Sequence, residues 1–197
     1  MANTHSTEPK APRQRIPAAQ RRDALIDAAV RAFAHGGLHG TPVDRIARQV
    51  GVAQPYVFSL FANKRELFIA AVERCFDGVA AHFTRVASEF DPATAPPDVD
   101  VLKAMGNAYV ELLASDRDYL MLQLQAYAAC DDEVIRDHVR ACYARLVAHV
   151  QGLVDAEPDR IDEFFRYGMW LNVAAAMGVE DLSVGCEWVR AELSDAE

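Results

Sequence analysis

The sequence predicts an all-α chain: a three-helix helix-turn-helix head followed by a larger helical domain, about nine helices in all. Three observations carry this expectation. Apolar residues recur at helical spacing along most of the 197 residues, and no stretch alternates apolar and polar between turn signals as a half-buried strand would. Residues 44–65, DRIARQVGVAQPYVFSLFANKR, hold two short helical patterns separated by one glycine, an arrangement whose second helix can enter the DNA major groove. Charge is also split along the chain. Residues 1–65 carry ten Lys and Arg against four Asp and Glu, a balance of +6, while residues 66–197 sum to −15. The whole chain is acidic at −9, but attraction to phosphate follows the local field of the head.

Residues 1–17 are rich in Thr, Pro, Ala, Gln and Arg without an apolar period, and read as a disordered basic arm. The head, residues 18–66, opens with a helix from Ala18 to about His35. Its Leu25, Ile26, Ala29, Val30 and Phe33 share one face, and Gly36-Gly37 ends it. Thr41 is the expected N-cap of the second helix, with Pro42 at the first helical position and Val43, Ile46, Ala47 and Val50 as its apolar stripe. Gly51 closes that helix from the C′ position, where glycine enters the left-handed region without a Cβ penalty. In the short third helix Val57, Leu60 and Phe61 turn inward, which leaves Gln54, Pro55, Tyr56 and Ser59 outward. Asn63 with Glu66 reads as a capping box.

From that box Phe68, Val72, Cys75, Phe76, Val79 and Phe83 carry a fourth helix into the second domain, residues 67–197. The proline-rich stretch 89–98 interrupts it, and Asp98 is the expected cap of a helix reaching about Ala114. Further helices are expected over 116–129, 131–154, 158–178 and 180–193. The one that starts at Pro158 is apolar almost all round, which requires burial on more than one side.

Over roughly residues 21–79 the chain resembles the TetR family of bacterial transcriptional regulators. The resemblance lies in Ala29-x-x-x-Phe33, a glycine, Thr41, Ile46-Ala47, Gly51-Val52, a short reading helix, Phe61, Lys64 and Leu67-Phe68. Gln54-Pro55 and Asn63-Lys64-Arg65 are especially similar to the tetracycline-responsive repressors that name the family. Three positions depart from its usual pattern: Ala53 replaces a common Ser cap, Phe58 lacks the hydroxyl of a common Tyr, and Leu60 sits where a polar or aromatic residue is frequent. The resemblance implies a ligand-responsive repressor that binds a palindromic operator as a homodimer. It also implies an effector pocket in the second domain and dimerisation through the last two helices, where Leu182, Cys186, Val189 and Leu193 have heptad-like spacing.

On this reading Gln54 contacts a base edge, since its amide can bond adenine bidentately. Pro55 and Tyr56 pack on a thymine methyl or bond nearby. Thr41, Ser59 and Lys64 hold phosphates, together with Arg45 or Arg48, and Arg13, Arg15, Arg21 and Arg22 add contacts from the arm. The effector candidates are Met105, Tyr109, Met121, Tyr127, Phe164, Tyr167, Trp170 and Met177, with Asn107, Gln123, Gln125 and Asn172 among them to orient a mostly apolar molecule. The expected partners are double-stranded operator DNA, a small apolar or amphipathic effector and a second copy of the chain. Two alternatives stay open: an activator, or a small-molecule-binding dimer whose head docks a protein.

Other classes lack support. There is no secretory h-region and no apolar run long enough to span a bilayer, so a cytoplasmic location with no membrane partner is expected. The four cysteines form no CxxC pair and read as buried thiols. Without GxSxG, a phosphate-cradling glycine loop or HExxH, no enzyme and no cofactor are expected. His138, Cys142 and His149 share one helix, but His149 lies nearly two turns beyond Cys142, so no metal site is expected there.

Overall fold

The computed structural model describes residues 17–178, and among them the regular elements are eight α-helices, with no strand. They are α1 (Ala18–Gly40), α2 (Val43–Val50), α3 (Gln54–Leu60), α4 (Lys64–Glu89), α5 (Val101–Ser115), α6 (Arg117–Ala128), α7 (Glu133–Leu153) and α8 (Pro158–Met177). Residues 1–16 of the expected arm and the ninth helix expected over 180–193 lie outside the described residues. The heptad-like series from Leu182 to Leu193 lies outside them too.

The head forms because short-range signals agree with packing. The α1 stripe of Leu25, Ile26, Ala29 and Phe33 is buried against α4, where Phe33 meets Phe68 edge to face at 5.0 Å between ring centroids. Such a pair contributes about 0.5–1.5 kcal/mol beyond its burial. Helix α1 does not end at Gly36-Gly37 as the sequence suggests. Helical bonding resumes as far as Gly40, across a break at Gly37 with φ 62° and ψ −177°. Asn63 caps α4 by accepting the Glu66 amide at 3.0 Å, while the Glu66 carboxylate takes the amide of Ala62.

Two expected caps are corrected. Thr41 does not cap α2: its hydroxyl donates to the Ala32 carbonyl at 3.1 Å, Thr41 is 2% exposed, and Pro42 takes the N-cap position without a side-chain bond. Asp98 does not cap α5 either. A turn closed by the Val99 amide on the Pro96 carbonyl delays the helix by two residues, so Asp100 accepts the Lys103 amide and Asp98 pairs with the Lys103 ammonium.

Helix α4 runs from the head into the body, and α1 packs on both α4 and α6. The body gathers α5, α6, α7 and α8 around the distal half of α4. Helix α8 is not buried all round. Ile161, Leu171 and Ala174 face the core, whereas Met169, Val173 and Met177 are 38%, 49% and 63% exposed. No described helix is long and apolar enough to cross a membrane.

Candidate DNA-reading face and effector cavity

Gly51 adopts φ 72° and ψ 32°, and its amide bonds back to Ala47 and Arg48, so α2 stops within one residue and the chain turns sharply into α3. Val57 and Phe61 anchor α3 in the core at 1% and 3% exposure, and Leu60 is half-buried beside them. Gln54, Pro55, Phe58 and Ser59 are left exposed. Gln54 is the first residue of the helix, with Ala53 as its N-cap. Tyr56 is partly turned in, under the Arg21 guanidinium at 5.7 Å from the ring centroid, and Arg22 lies over Phe61 at 4.9 Å. These two stacked guanidiniums bring positive charge to the edge of the reading helix. Phe58, absent from the expected contacts, is 41% exposed on this face. The signal was available, because it stands one turn after Gln54.

The expected phosphate contacts divide. Thr41 is withdrawn, since a buried hydroxyl already bonded to Ala32 has no access to a phosphate. The Ser59 hydroxyl is exposed and donates to the Tyr56 carbonyl at 2.7 Å. Arg48 is held by Asp44 at 2.6 Å, while Arg45 is exposed one residue after that acid. The Lys64 ammonium donates to the His39 carbonyl at 3.1 Å, and partial burial holds its pKa below the ordinary lysine value. An ammonium has three N–H groups, so that bond leaves two for a phosphate. Lys64→Ala should therefore weaken binding to all DNA sequences about equally. It should also lower the slope of log K against log salt by about 1 per chain. Titrations at several salt concentrations check this, and an unchanged slope removes Lys64 from the contacts.

In the body, α4, α5, α6, α7 and α8 line a partly open cavity of about 40 Å³. Phe76, Val79 and Phe83 come from α4, Tyr109 from α5, Gln123 and Tyr127 from α6, Tyr143 and Leu146 from α7, and Phe164, Phe165, Tyr167, Leu171 and Asn172 from α8. Of the expected effector residues, Tyr109, Tyr127, Phe164 and Tyr167 line it. Met105, Met121, Trp170 and Met177 do not. Met105 is spent in the core at 0% exposure, Met121 and Trp170 are half-buried away from the lining, and Met177 is 63% exposed at the end of α8. Phe76, Phe83, Tyr143 and Phe165 also line it, at spacings that read equally as core.

One end of the cavity is polar. The Tyr109 hydroxyl donates to Asn172 Oδ1 at 2.7 Å, the Asn172 amide to Gln123 Oε1 at 3.3 Å, and the Gln123 amide to the Tyr109 oxygen at 3.1 Å. All three are buried, and burial pushes the Tyr109 hydroxyl up to about 12 and raises Tyr127 as well. Gln125 lies elsewhere: its side-chain oxygen covers Gly37 in the head. Helix α6 thus lines the cavity with Gln123 and Tyr127 and meets α1 through Gln125. Just past its end, Asp132 receives Arg65 from the start of α4 at 2.9 Å.

The residues weighed for metal have separate partners. His138 faces Glu73 at 3.4 Å, the Arg145 guanidinium donates to the Cys142 sulfur at 3.2 Å, and His149 pairs with the Thr84 hydroxyl at 2.7 Å.

A helix-turn-helix head with an exposed reading helix, carried on an all-helical body, defines the class. Residues 25–71, the head, match the family model described as bacterial regulatory proteins, tetR family. The transcriptional activator FasR of Mycolicibacterium smegmatis is 34% identical over 67 residues, covering 34% of this chain and 31% of that protein. The negative transcriptional regulator of the biofilm operon icaADBC, IcaR of Staphylococcus epidermidis, is 32% identical over 56 residues, covering 28% and 30%. Each match spans about a third of the relative's own length. The fold extends further: the structure of the regulator FadR from Bacillus subtilis, in complex with stearoyl-CoA, superposes with a TM-score of 0.64 at 19% identity, covering 81% of this chain and 89% of that one.

Proposed function

We propose that the protein is a transcriptional repressor that binds a palindromic operator as a homodimer and is released by a small-molecule effector. The observation that carries this is one continuous element, α6, touching both a mostly apolar cavity and the helix-turn-helix head. An effector that favours a body shape with the heads at the wrong spacing weakens operator binding by linkage, on the order of 1–3 kcal/mol. The FadR neighbour holds stearoyl-CoA in its structure, which supports a ligand role for a body of this fold. IcaR is named a negative regulator, which supports repression. The location that fits this role is the cytoplasm. The test is selection of bound genomic fragments by the purified full-length chain, followed by a reporter placed behind the selected site. Repression relieved on deleting the gene supports the reading; reporter output that needs the protein makes it an activator. Failure to select any DNA, with salt-independent capture of a protein by the head, sinks both.

The reading role of Gln54 has its own test. Its side chain is exposed at the start of α3 and makes no hydrogen bond among the described residues. It offers the donor and acceptor that match adenine N7 and N6. Gln54→Ala should cost about 1–3 kcal/mol at one symmetric base pair and leave non-specific binding nearly unchanged, because no charge is lost. Affinities measured against operators altered at each position check this, and a uniform loss would refute base reading by Gln54.

A further inference from the structure

We propose that the body cavity takes an uncharged molecule with a flat apolar ring and a single carbonyl-type acceptor, and rejects carboxylates and ammonium ions of the same shape. This rests on reading the cavity as the effector site. None of the residues that line it is Asp, Glu, Lys, Arg or His. An ion brought there leaves water without a counter-charge, which costs several kcal/mol after relaxation. The tyrosines do not supply one, since burial keeps the hydroxyls of Tyr109 and Tyr127 protonated.

The polar end also has a sign. In the ring formed by Tyr109, Asn172 and Gln123, each amide nitrogen uses one of its two N–H groups. Gln123 Oε1 already accepts from Asn172 and, at 3.5 Å, from the Tyr127 hydroxyl. What the ring has left to give is therefore a pair of amide N–H donors, which a ligand oxygen can accept. The remainder is aromatic. Phe83 and Phe164 meet at 5.6 Å and Phe164 and Phe165 at 5.3 Å, all edge-on, a wall suited to a planar ring.

Four single-ring compounds of similar size separate charge from shape: acetophenone, ethylbenzene, benzoate and benzylammonium. Calorimetry on the full-length protein should show acetophenone binding best, with benzoate and benzylammonium at least about tenfold weaker. In Gln123→Met, which removes one of the amides, the advantage of acetophenone over ethylbenzene should disappear while ethylbenzene still binds. An ion that binds as tightly as acetophenone overturns the proposal. So does failure of all four to bind, or an acetophenone advantage untouched by Gln123→Met. Operator release is scored separately: acetophenone that binds without loosening DNA sinks the effector reading and leaves the charge selectivity intact.

Discussion

Val173→Glu should yield a folded monomer whose operator affinity has collapsed. Met169, Val173 and Met177 lie four residues apart along α8 and form an exposed apolar stripe, whose first member also borders the cavity. The proposed occupant of that stripe is the same helix of a second chain, since a two-fold protein buries the same patch on both copies. Glutamate at 49% exposure costs the isolated chain little, yet in the dimer it places two uncompensated carboxylates in an apolar contact. Two linked heads gain about 10²–10⁴ in avidity over one, so the monomer should lose at least about a hundredfold in operator affinity. Sedimentation should show a single chain at micromolar concentration, with unchanged helical circular dichroism. A dimer that survives the substitution places the interface elsewhere.

Gly37→Ala should destabilise the protein and disturb communication between body and head. With φ 62° and ψ −177°, Gly37 occupies a region essentially closed to residues with a Cβ, at a cost of about 1–3 kcal/mol. The added methyl would also fall against the Gln125 side-chain oxygen. For a chain of this length the strain corresponds to a fall in Tm of about 2–12 °C. The double variant Gly37→Ala with Gln125→Ala separates the two effects, because it relieves the collision and keeps the backbone strain. Recovery of the full Tm in the double variant would show that the backbone conformation carries none of the cost. The substitution should also alter the effector concentration needed for release, measured on operator-bound protein, since Gln125 is where α6 meets α1.

What was legible in the sequence follows the range of the interactions involved. Gly51 and the Asn63–Glu66 cap are decided within a turn of chain, and both stand where spacing alone puts them. The role of Thr41 depends on Ala32, nine residues earlier on another helix, and local capping rules point the wrong way. The cavity shows the same limit. Tyr109, Tyr127, Phe164 and Tyr167 could be picked as large side chains on body helices, but so could Met105, Met121, Trp170 and Met177. Only the rotation of each helix against its neighbours separates the two sets. Phe76 and Phe83 were hidden for the converse reason: they belong to the same apolar stripe as Phe68 and Val72, and nothing local says that the stripe passes from solid core to cavity wall. The composition of α8 suggests burial on more than one side, yet among the described residues Met169, Val173 and Met177 stay exposed.

On the proposed function, the narrowness of the cavity would set the sensitivity of the response. At about 40 Å³ the space holds a few waters, so a ring-sized molecule would need the aromatic wall to move apart. On the proposed function, an effector would compete with those wall side chains for the space. If one molecule in a hundred is open at a given moment, the apparent affinity falls about a hundredfold below the intrinsic one. Trimming a wall residue that makes no contact with the bound effector would then lower the concentration at which the gene responds. On that reading the triggering dose would be a property of packing as much as of recognition chemistry, and it could drift under selection without any change in which compound is recognised.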